Sequence, residues 1–301
     1  MDKVYVISEH AKTYYQLIKA AQLPDLAITT SADEASIWLA DPPLAAPQLP
    51  HAEQLRWLQS TFAGVDALIH APQRGYQLTN VRGIFGALMA EYVFGHILTD
   101  TRHLGQYAEQ QAQCRWQPQP YRSLHGQTLA ILGTGAIGQH ISTVARAFGM
   151  TVLGINQDGR PVDGFEQTLT LPALRQTLSE VDILVSTLPA TPETHQCLNA
   201  VFWQHAQHLF FINVGRGATV DEPALVRALD EKKLHLAVLD VMQQEPLPEQ
   251  HPFWTHPNVR VTPHIAAVSF PEQVFALFAD NYRRWHAGQP LAHRVDFDKG
   301  Y

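Results

Sequence analysis

Cysteine is scarce in this chain of 301 residues: Cys114 and Cys197 are the only two, far apart and in no metal-like spacing. That excludes a disulfide framework and a cysteine-based zinc site. Positive charge is short as well, with 21 Lys and Arg against 28 Asp and Glu and a net charge of -7. Nothing electrostatic therefore points to nucleic acid or an anionic membrane as partner. The one basic pair, Arg283-Arg284 beside Trp285, reads as a solvated helix face. No apolar run is long enough to cross a bilayer. The first apolar run, residues 4–8, is too short for a signal segment and reads as a strand. These absences lead to the expectation of a soluble protein in a reducing, cytoplasmic setting. Hydrophobic residues make up 46% of the chain, enough for a sizeable core, and the length suggests two domains.

Short apolar runs alternate with longer amphipathic stretches. In the first part the strand candidates are residues 4–8, 26–29, 37–39 and 56–60, with helical pieces at 10–21, 67–70 and 89–98. The proline-rich stretch 41–50 reads as a surface loop. A second series has strand candidates at 128–132, 151–156, 183–187, 209–214, 236–240 and 259–262. Strands alternating with helices imply parallel sheets covered on both faces. The tail carries an amphipathic helix at 272–285 with no sheet of its own to cover, so it is expected to return to the first domain. The expected fold is α/β, with two doubly wound parallel-sheet domains. A Rossmann cofactor domain, residues 98–266, is inserted into a flavodoxin-like substrate domain, residues 1–97 and 267–301.

The strongest local signal is Leu132-Gly133-Thr134-Gly135-Ala136-Ile137-Gly138. It follows a strand and opens a helix with Ile137, Ile141, Val144, Ala145 and Phe148 on one face, and Gly149 stands where a C-cap belongs. Gly133 permits a tight turn, Gly135 a close backbone approach to a pyrophosphate, and Gly138 close packing of helix on strand. The N–H groups of the first helical turn, from Ala136 and Ile137 on, then face the phosphates. Where NAD-binding units carry an acidic residue after the second strand, this chain has Asn156, followed by Gln157-Asp158-Gly159-Arg160. Asn156 does not repel a 2′-phosphate and Arg160 can pair with one, while Asp158 pulls the other way. NADP is favoured slightly over NAD.

Three polar residues follow later strands: Arg216 in Asn213-Val214-Gly215-Arg216-Gly217, Glu245 after Asp240-Val241-Met242, and His264 in Thr262-Pro263-His264. Ligands of open parallel sheets bind outside the carboxyl ends of the strands. Reduction of a ketone by hydride needs a proton donor, which His can be near neutral pH. A carboxylate beside the imidazole keeps it charged, and a guanidinium holds a substrate carboxylate in a forked geometry.

With these residues in place the chain resembles the D-isomer-specific 2-hydroxyacid dehydrogenases, and within them the glyoxylate/hydroxypyruvate reductase branch. The likeness extends to residues 55–66, to Leu78-Thr79-Asn80, to Ala90-Glu91-Tyr92, to Thr187-Leu188-Pro189 and to Thr191-Pro192-Glu193-Thr194. It implies that Arg216 binds the substrate carboxylate and carbonyl, that His264 is the acid/base, and that Glu245 pairs with it. It further implies that the N–H groups of Ala63 and Gly64 hold the other side of the carboxylate, and that Asp240 meets the nicotinamide carboxamide. Leu188 and Val214 would line the cofactor, with Pro189 and Thr194 beside it. A homodimer, an R-configured product and a small 2-oxo acid as partner are implied in the same way. Glu245 separates the chain from the formate-oxidising members, which carry Gln there. The cofactor-selectivity region lacks the Arg/Ser/Thr cluster of strongly NADP-selective members.

Two other classes compete. A cofactor-sensing regulator of the same fold, like the transcriptional corepressors, would keep these three residues, but such relatives have long tails. A metal hydrolase would draw on the 16 histidines, among them His205, His208, His251 and His256. No H-E-x-x-H or comparable ligand frame occurs, no metal is expected, and these histidines read as exposed.

Overall fold

A computed structural model describes residues 1–300. The chain divides into two compact units: residues 1–84 with those from 269 on, and residues 85–268.

The first unit is built from β1 (Asp2–Ile7), α1 (Ala11–Ala21), β2 (Leu26–Ile28), β3 (Ile37–Ala40), α2 (Pro42–Ala45), β4 (Trp57–Ser60), α3 (Asp66–Ile69) and β5 (Gln77–Thr79). Its strands form one parallel sheet in the order β2-β1-β3-β4-β5, the flavodoxin-like order. Every residue of β3 and β4 is buried, because strands inside a parallel sheet are covered on both faces.

The stretch 41–50 is not the surface loop its prolines suggest. Pro42 opens α2 and a 3-10 turn, Ala46–His51, follows at once. Proline tolerates a first helical turn, where its missing N–H has no partner to lose. Ala45 and Leu49 are buried in the cluster that includes Trp38, Leu58 and Leu68.

The second unit begins with α4 (Gly86–Thr101) and α5 (Leu104–Ala112), then runs through β6 (Thr128–Leu132), α6 (Ala136–Ala147), β7 (Thr151–Ile155), β8 (Gln167–Leu169), α7 (Leu171–Gln176), β9 (Ile183–Ser186), α8 (Ala200–Trp203), β10 (Leu209–Asn213), α9 (Glu222–Asp230), β11 (Leu234–Leu239) and β12 (Val259–Val261). All seven strands are parallel, in the order β12-β11-β10-β9-β6-β7-β8. The order reverses at β6, so a crevice opens beyond the carboxyl ends of β6 and β9, the place where such sheets bind ligands.

Both faces of this sheet are filled. Ala130, Leu132, Leu184, Phe211 and Leu239 pack on one side with Leu174, Phe202, Trp203 and Leu225. Leu129, Ile131, Val185, Ile212 and Val238 pack on the other with Ile141, Ala145 and α4. The buried face of α4 (Ala90, Val93, Phe94 and Ile97) lies wholly in that second cluster. The unit boundary therefore falls before α4, at residues 84 and 85. A break at 97 would cut through a continuous helix.

The chain then returns to the first unit through α10 (Pro271–His286). Phe278 of α10 stacks on Trp57 of β4 with ring centroids 5.3 Å apart. Asn281 donates to Gln59 Oε1 at 3.2 Å and accepts from the Ala292 N–H at 2.8 Å. The amphipathic tail thus covers the sheet of the first unit.

Candidate active site

The glycine-rich turn joins β6 to α6. Gly133 adopts φ +104°, a conformation L side chains rarely take. A Cβ on Gly138 would stand 2.0 Å from the Gly133 carbonyl oxygen, so helix and strand approach as closely as the motif requires. Gly135, by contrast, has open space where a Cβ would go, which leaves the backbone accessible to a ligand. The turn is fastened from β9: Thr187 donates to the Leu132 carbonyl at 2.9 Å. Gly149 closes the helix at φ +75° and its N–H donates to the Arg146 carbonyl.

Asn156 stands just beyond β7. Its Nδ2 donates to the Arg160 carbonyl at 3.0 Å and approaches Thr134 Oγ1 at 3.4 Å. Its Oδ1 is buried without a donor among the described residues. An orphaned acceptor costs about 1–3 kcal/mol, and here it lies where a ribose hydroxyl would supply the missing donor. With the open Gly135 and the first turn of α6, this fits a dinucleotide. Arg160 points into solvent beside Asp158: its N–H donates to Asp158 Oδ1 at 3.3 Å, and the guanidinium lies 3.9 Å from Oδ2. Thr194 closes its own loop, donating to the Pro189 carbonyl at 2.7 Å and accepting from the Thr191 N–H at 2.8 Å. Val214 is buried in the cluster on the α4 side of the sheet, and Leu188 packs half-buried against the cluster on the other side.

The polar residues read from the later strands meet in this unit. His264 Nδ1 lies 2.8 Å from Glu245 Oε2. The other carboxylate oxygen of Glu245 accepts the Met242 N–H at 2.9 Å, which fixes the carboxylate plane. The hydrogen bond that His264 donates to Glu245 raises the His264 pKa above its ordinary value, against the opposing pull of burial. Burial would raise Glu245, but the bonds from His264 and Met242, with the charges of His264 and Arg216, leave it lowered. Arg216 follows Gly215, whose missing side chain lets the backbone lie against Leu188; a Cβ there would stand 2.5 Å from the Leu188 carbonyl oxygen. The Arg216 guanidinium donates to the Gly215 carbonyl at 2.7 Å.

His264 sits at φ +55°, in the left-handed region. Asp240 holds it there. The His264 N–H donates to the Asp240 carbonyl at 2.9 Å, and the Asp240 carboxylate accepts the N–H groups of Ile265 and Ala266, both at 2.9 Å. Thr262 donates to the same carboxylate at 2.6 Å, so its own oxygen accepts from Tyr92 of α4, also at 2.6 Å. Burial, with Asp240 nearby, pushes the Tyr92 pKa up to about 12. Thr262 and Tyr92 were not singled out from the sequence as site residues, although both stand inside quoted motifs.

Ala63 and Gly64 belong to the first unit, in the loop between β4 and α3. The carbonyls of Phe62 and Ala63 accept from the Val81 N–H (3.1 Å) and from Asn80 Nδ2 (2.7 Å). In trans peptides the N–H points opposite to the carbonyl, so the N–H groups of Ala63 and Gly64 point away from residues 80–81.

Two of the histidines taken as exposed are not. His251 and His256 keep 18% and 11% of their side chains exposed, each beside an acidic partner, Glu222 and Asp230. Among the described residues no group of three or more His, Cys, Asp or Glu side chains is placed to hold a metal ion. No helix among them is long and apolar enough to cross a membrane.

The family model for the NAD binding domain of D-isomer specific 2-hydroxyacid dehydrogenases matches residues 94–266. Glyoxylate/hydroxypyruvate reductase A of Serratia proteamaculans is 34% identical over 280 residues, covering 90% of this chain and 88% of the relative. Among solved structures, a D-isomer specific 2-hydroxyacid dehydrogenase family protein from Aeromonas salmonicida is 48% identical, with a TM-score of 0.94 over 99% of each chain. The NADPH-dependent glyoxylate/hydroxypyruvate reductase of Sinorhizobium meliloti, solved with NADP and sulfate, is 28% identical, with a TM-score of 0.87 over the full length of both chains. The glycine cradle, the two parallel sheets and these likenesses agree: the chain belongs to the D-isomer specific 2-hydroxyacid dehydrogenases and is an NAD(P)-dependent oxidoreductase.

Proposed function

We propose that the enzyme reduces small 2-oxo acids, of the glyoxylate, hydroxypyruvate or pyruvate type, to D-2-hydroxy acids. The observation that carries this reading is the 2.8 Å contact between His264 and Glu245 in the same unit as the glycine cradle. Reduction of a 2-oxo acid adds a hydride to the carbonyl carbon and a proton to the oxygen. Bound NAD(P)H supplies the hydride. His264 supplies the proton: Glu245 engages Nδ1, which leaves Nε2 to face the carbonyl oxygen. Glu245 keeps the imidazole charged and so keeps the acid loaded. Arg216 binds the substrate carboxylate and polarises the neighbouring carbonyl. Ala63 and Gly64, in the first unit, offer backbone N–H groups of the kind that bind a substrate carboxylate.

Gly133, Gly135, Ala136, Ile137 and Gly138 cradle the pyrophosphate, and Asn156 binds the adenine ribose. Leu188, Pro189, Thr194 and Val214 shape the rest of the cofactor site. Asp240, with its carboxylate already wrapped round the His264 backbone, sets the nicotinamide end. Arg160 supplies a cation for a 2′-phosphate, and the Sinorhizobium relative is named as NADPH-dependent, so NADPH is the proposed cofactor. The active species is a cytoplasmic homodimer.

A panel of 2-oxo acids assayed with NADPH and NADH separately tests the reading. Turnover of glyoxylate, hydroxypyruvate or pyruvate supports it. Failure of every 2-oxo acid with both cofactors overturns it.

A further inference from the structure

The loop between β11 and β12 carries Glu245 and is irregular over most of its length. Long loops are mobile unless their backbone is tied down, yet a general acid needs its partner held in a fixed geometry. Glu222, at the start of α9, lies under this loop. Its Oε1 accepts the Gln243 N–H at 2.9 Å, two residues before Glu245. Its Oε2 lies 3.2 Å from His251 Nε2, six residues after Glu245. The Phe253 N–H donates to His251 Nδ1 at 3.3 Å, which puts the ring proton on Nε2, where it is donated to Glu222. One carboxylate therefore grips the loop on both sides of Glu245.

Two further contacts tie the same segment down. Gln243 Nε2 donates to the Val220 carbonyl at 2.5 Å. A Cβ on Gly217, next to Arg216, would stand 1.9 Å from the Met242 carbonyl carbon. Glu222 is not spent on capping its helix, since Asp221 does that by accepting the Ala224 N–H at 2.9 Å. Its side chain is 12% exposed and that of His251 18%, so solvent competes weakly for either bond.

We propose that Glu222 and His251 form a positioning brace that fixes the Glu245 carboxylate against His264. They touch neither substrate nor cofactor and act through Glu245. The proposal rests on the reading of His264 as the proton donor. The charged groups that act on the His264–Glu245 pair are Arg216 and Asp240; the brace adds Glu222 and His251, which are engaged with each other.

The test is a pH profile of kcat and kcat/KM for 2-oxo acid reduction, with cofactor affinity and Tm measured alongside. It compares the wild type with Glu222→Ala, Glu222→Gln, His251→Ala and Glu245→Gln. A loosened loop lets Glu245 drift from His264, so Glu222→Ala and His251→Ala lower kcat roughly tenfold, the scale of a sub-ångström misplacement. They also move the alkaline limb downward, towards the position it takes in Glu245→Gln, with cofactor affinity unchanged. Glu222→Gln keeps an acceptor for the Gln243 N–H and falls between the wild type and Glu222→Ala. An unmoved limb in Glu222→Ala overturns the brace, whether activity is kept or falls uniformly with Tm. If Glu245→Gln itself leaves the limb in place, the His264 reading fails. If Glu245→Gln moves it and Glu222→Ala does not, only the brace fails.

Discussion

Asp240 grips the backbone around His264 at three points: its carbonyl takes the His264 N–H, and its carboxylate takes the two N–H groups that follow. This holds the histidine in a left-handed conformation that a non-glycine residue does not adopt cheaply. The strain is local to the residue that is proposed to move the proton.

Asp240→Asn tests that grip. The amide offers one acceptor oxygen and turns an NH2 group towards a donor, leaving at least one buried N–H or hydroxyl unpaired. A loss of about 1–3 kcal/mol in unfolding free energy is expected, with a fall in kcat as the His264 loop relaxes. Urea denaturation beside steady-state kinetics measures both, and a variant as stable and as active as the wild type would refute the account.

On the proposed mechanism the His264–Glu245 pair sets the pH dependence of reduction. Glu245 holds the His264 pKa above its ordinary 6.5, so reduction falls off on the alkaline side of that value, where the imidazolium is lost. Glu245→Gln removes the opposing charge and moves the limb downward. The stability linkage has two signs. The contribution of His264 is full below the unfolded histidine value and is lost as pH rises through the raised folded one. Glu245 is lowered from 4.5; its contribution is full above that value and is lost as pH falls through the folded one. The pair therefore stabilises most between the two ranges, and a denaturation series across pH should show the gain largest there and smaller on either side.

How much of this was legible in the sequence depended on whether a feature was local. The glycine turn could be read residue by residue because Gly133, Gly135 and Gly138 each answer a backbone need within six positions. Most strands of both sheets could be read from short apolar runs, but β5 (Gln77–Thr79) and β8 (Gln167–Leu169) could not, because each is three residues long and mostly polar. By contrast, the 41–50 stretch misled because proline marks both loops and first helical turns, and only the burial of Leu49 decides between them. The boundary before α4 was hidden for a similar reason: an apolar helix face does not say which sheet it covers. The Tyr92–Thr262–Asp240 chain and the Glu222–His251 brace join residues 170 and 29 positions apart, a separation that no spacing rule reaches.

Arg216→Lys keeps the charge and loses the planar fork. The expected loss is in kcat/KM for 2-oxo acids, on the order of tenfold or more, because a bidentate site does not accept Lys as equivalent. Unchanged kcat/KM would remove Arg216 from the substrate site.

Cofactor choice is tested at Asn156. The wild type is expected to prefer NADPH by roughly tenfold, the scale of one exposed charge-assisted contact. Asn156→Asp places a carboxylate against the 2′-phosphate and should reverse the order. A wild type that clearly prefers NADH would contradict this assignment and leave the hydride chemistry standing.

The central claim is that His264 donates the proton, and the kcat of His264→Ala tests it most directly. The account predicts a fall of about 100-fold or more, with NADPH affinity nearly unchanged because the glycine cradle and Asn156 are untouched. Wild-type turnover in that variant would mean that another group donates the proton and that the His264–Glu245 pair is not the catalytic acid.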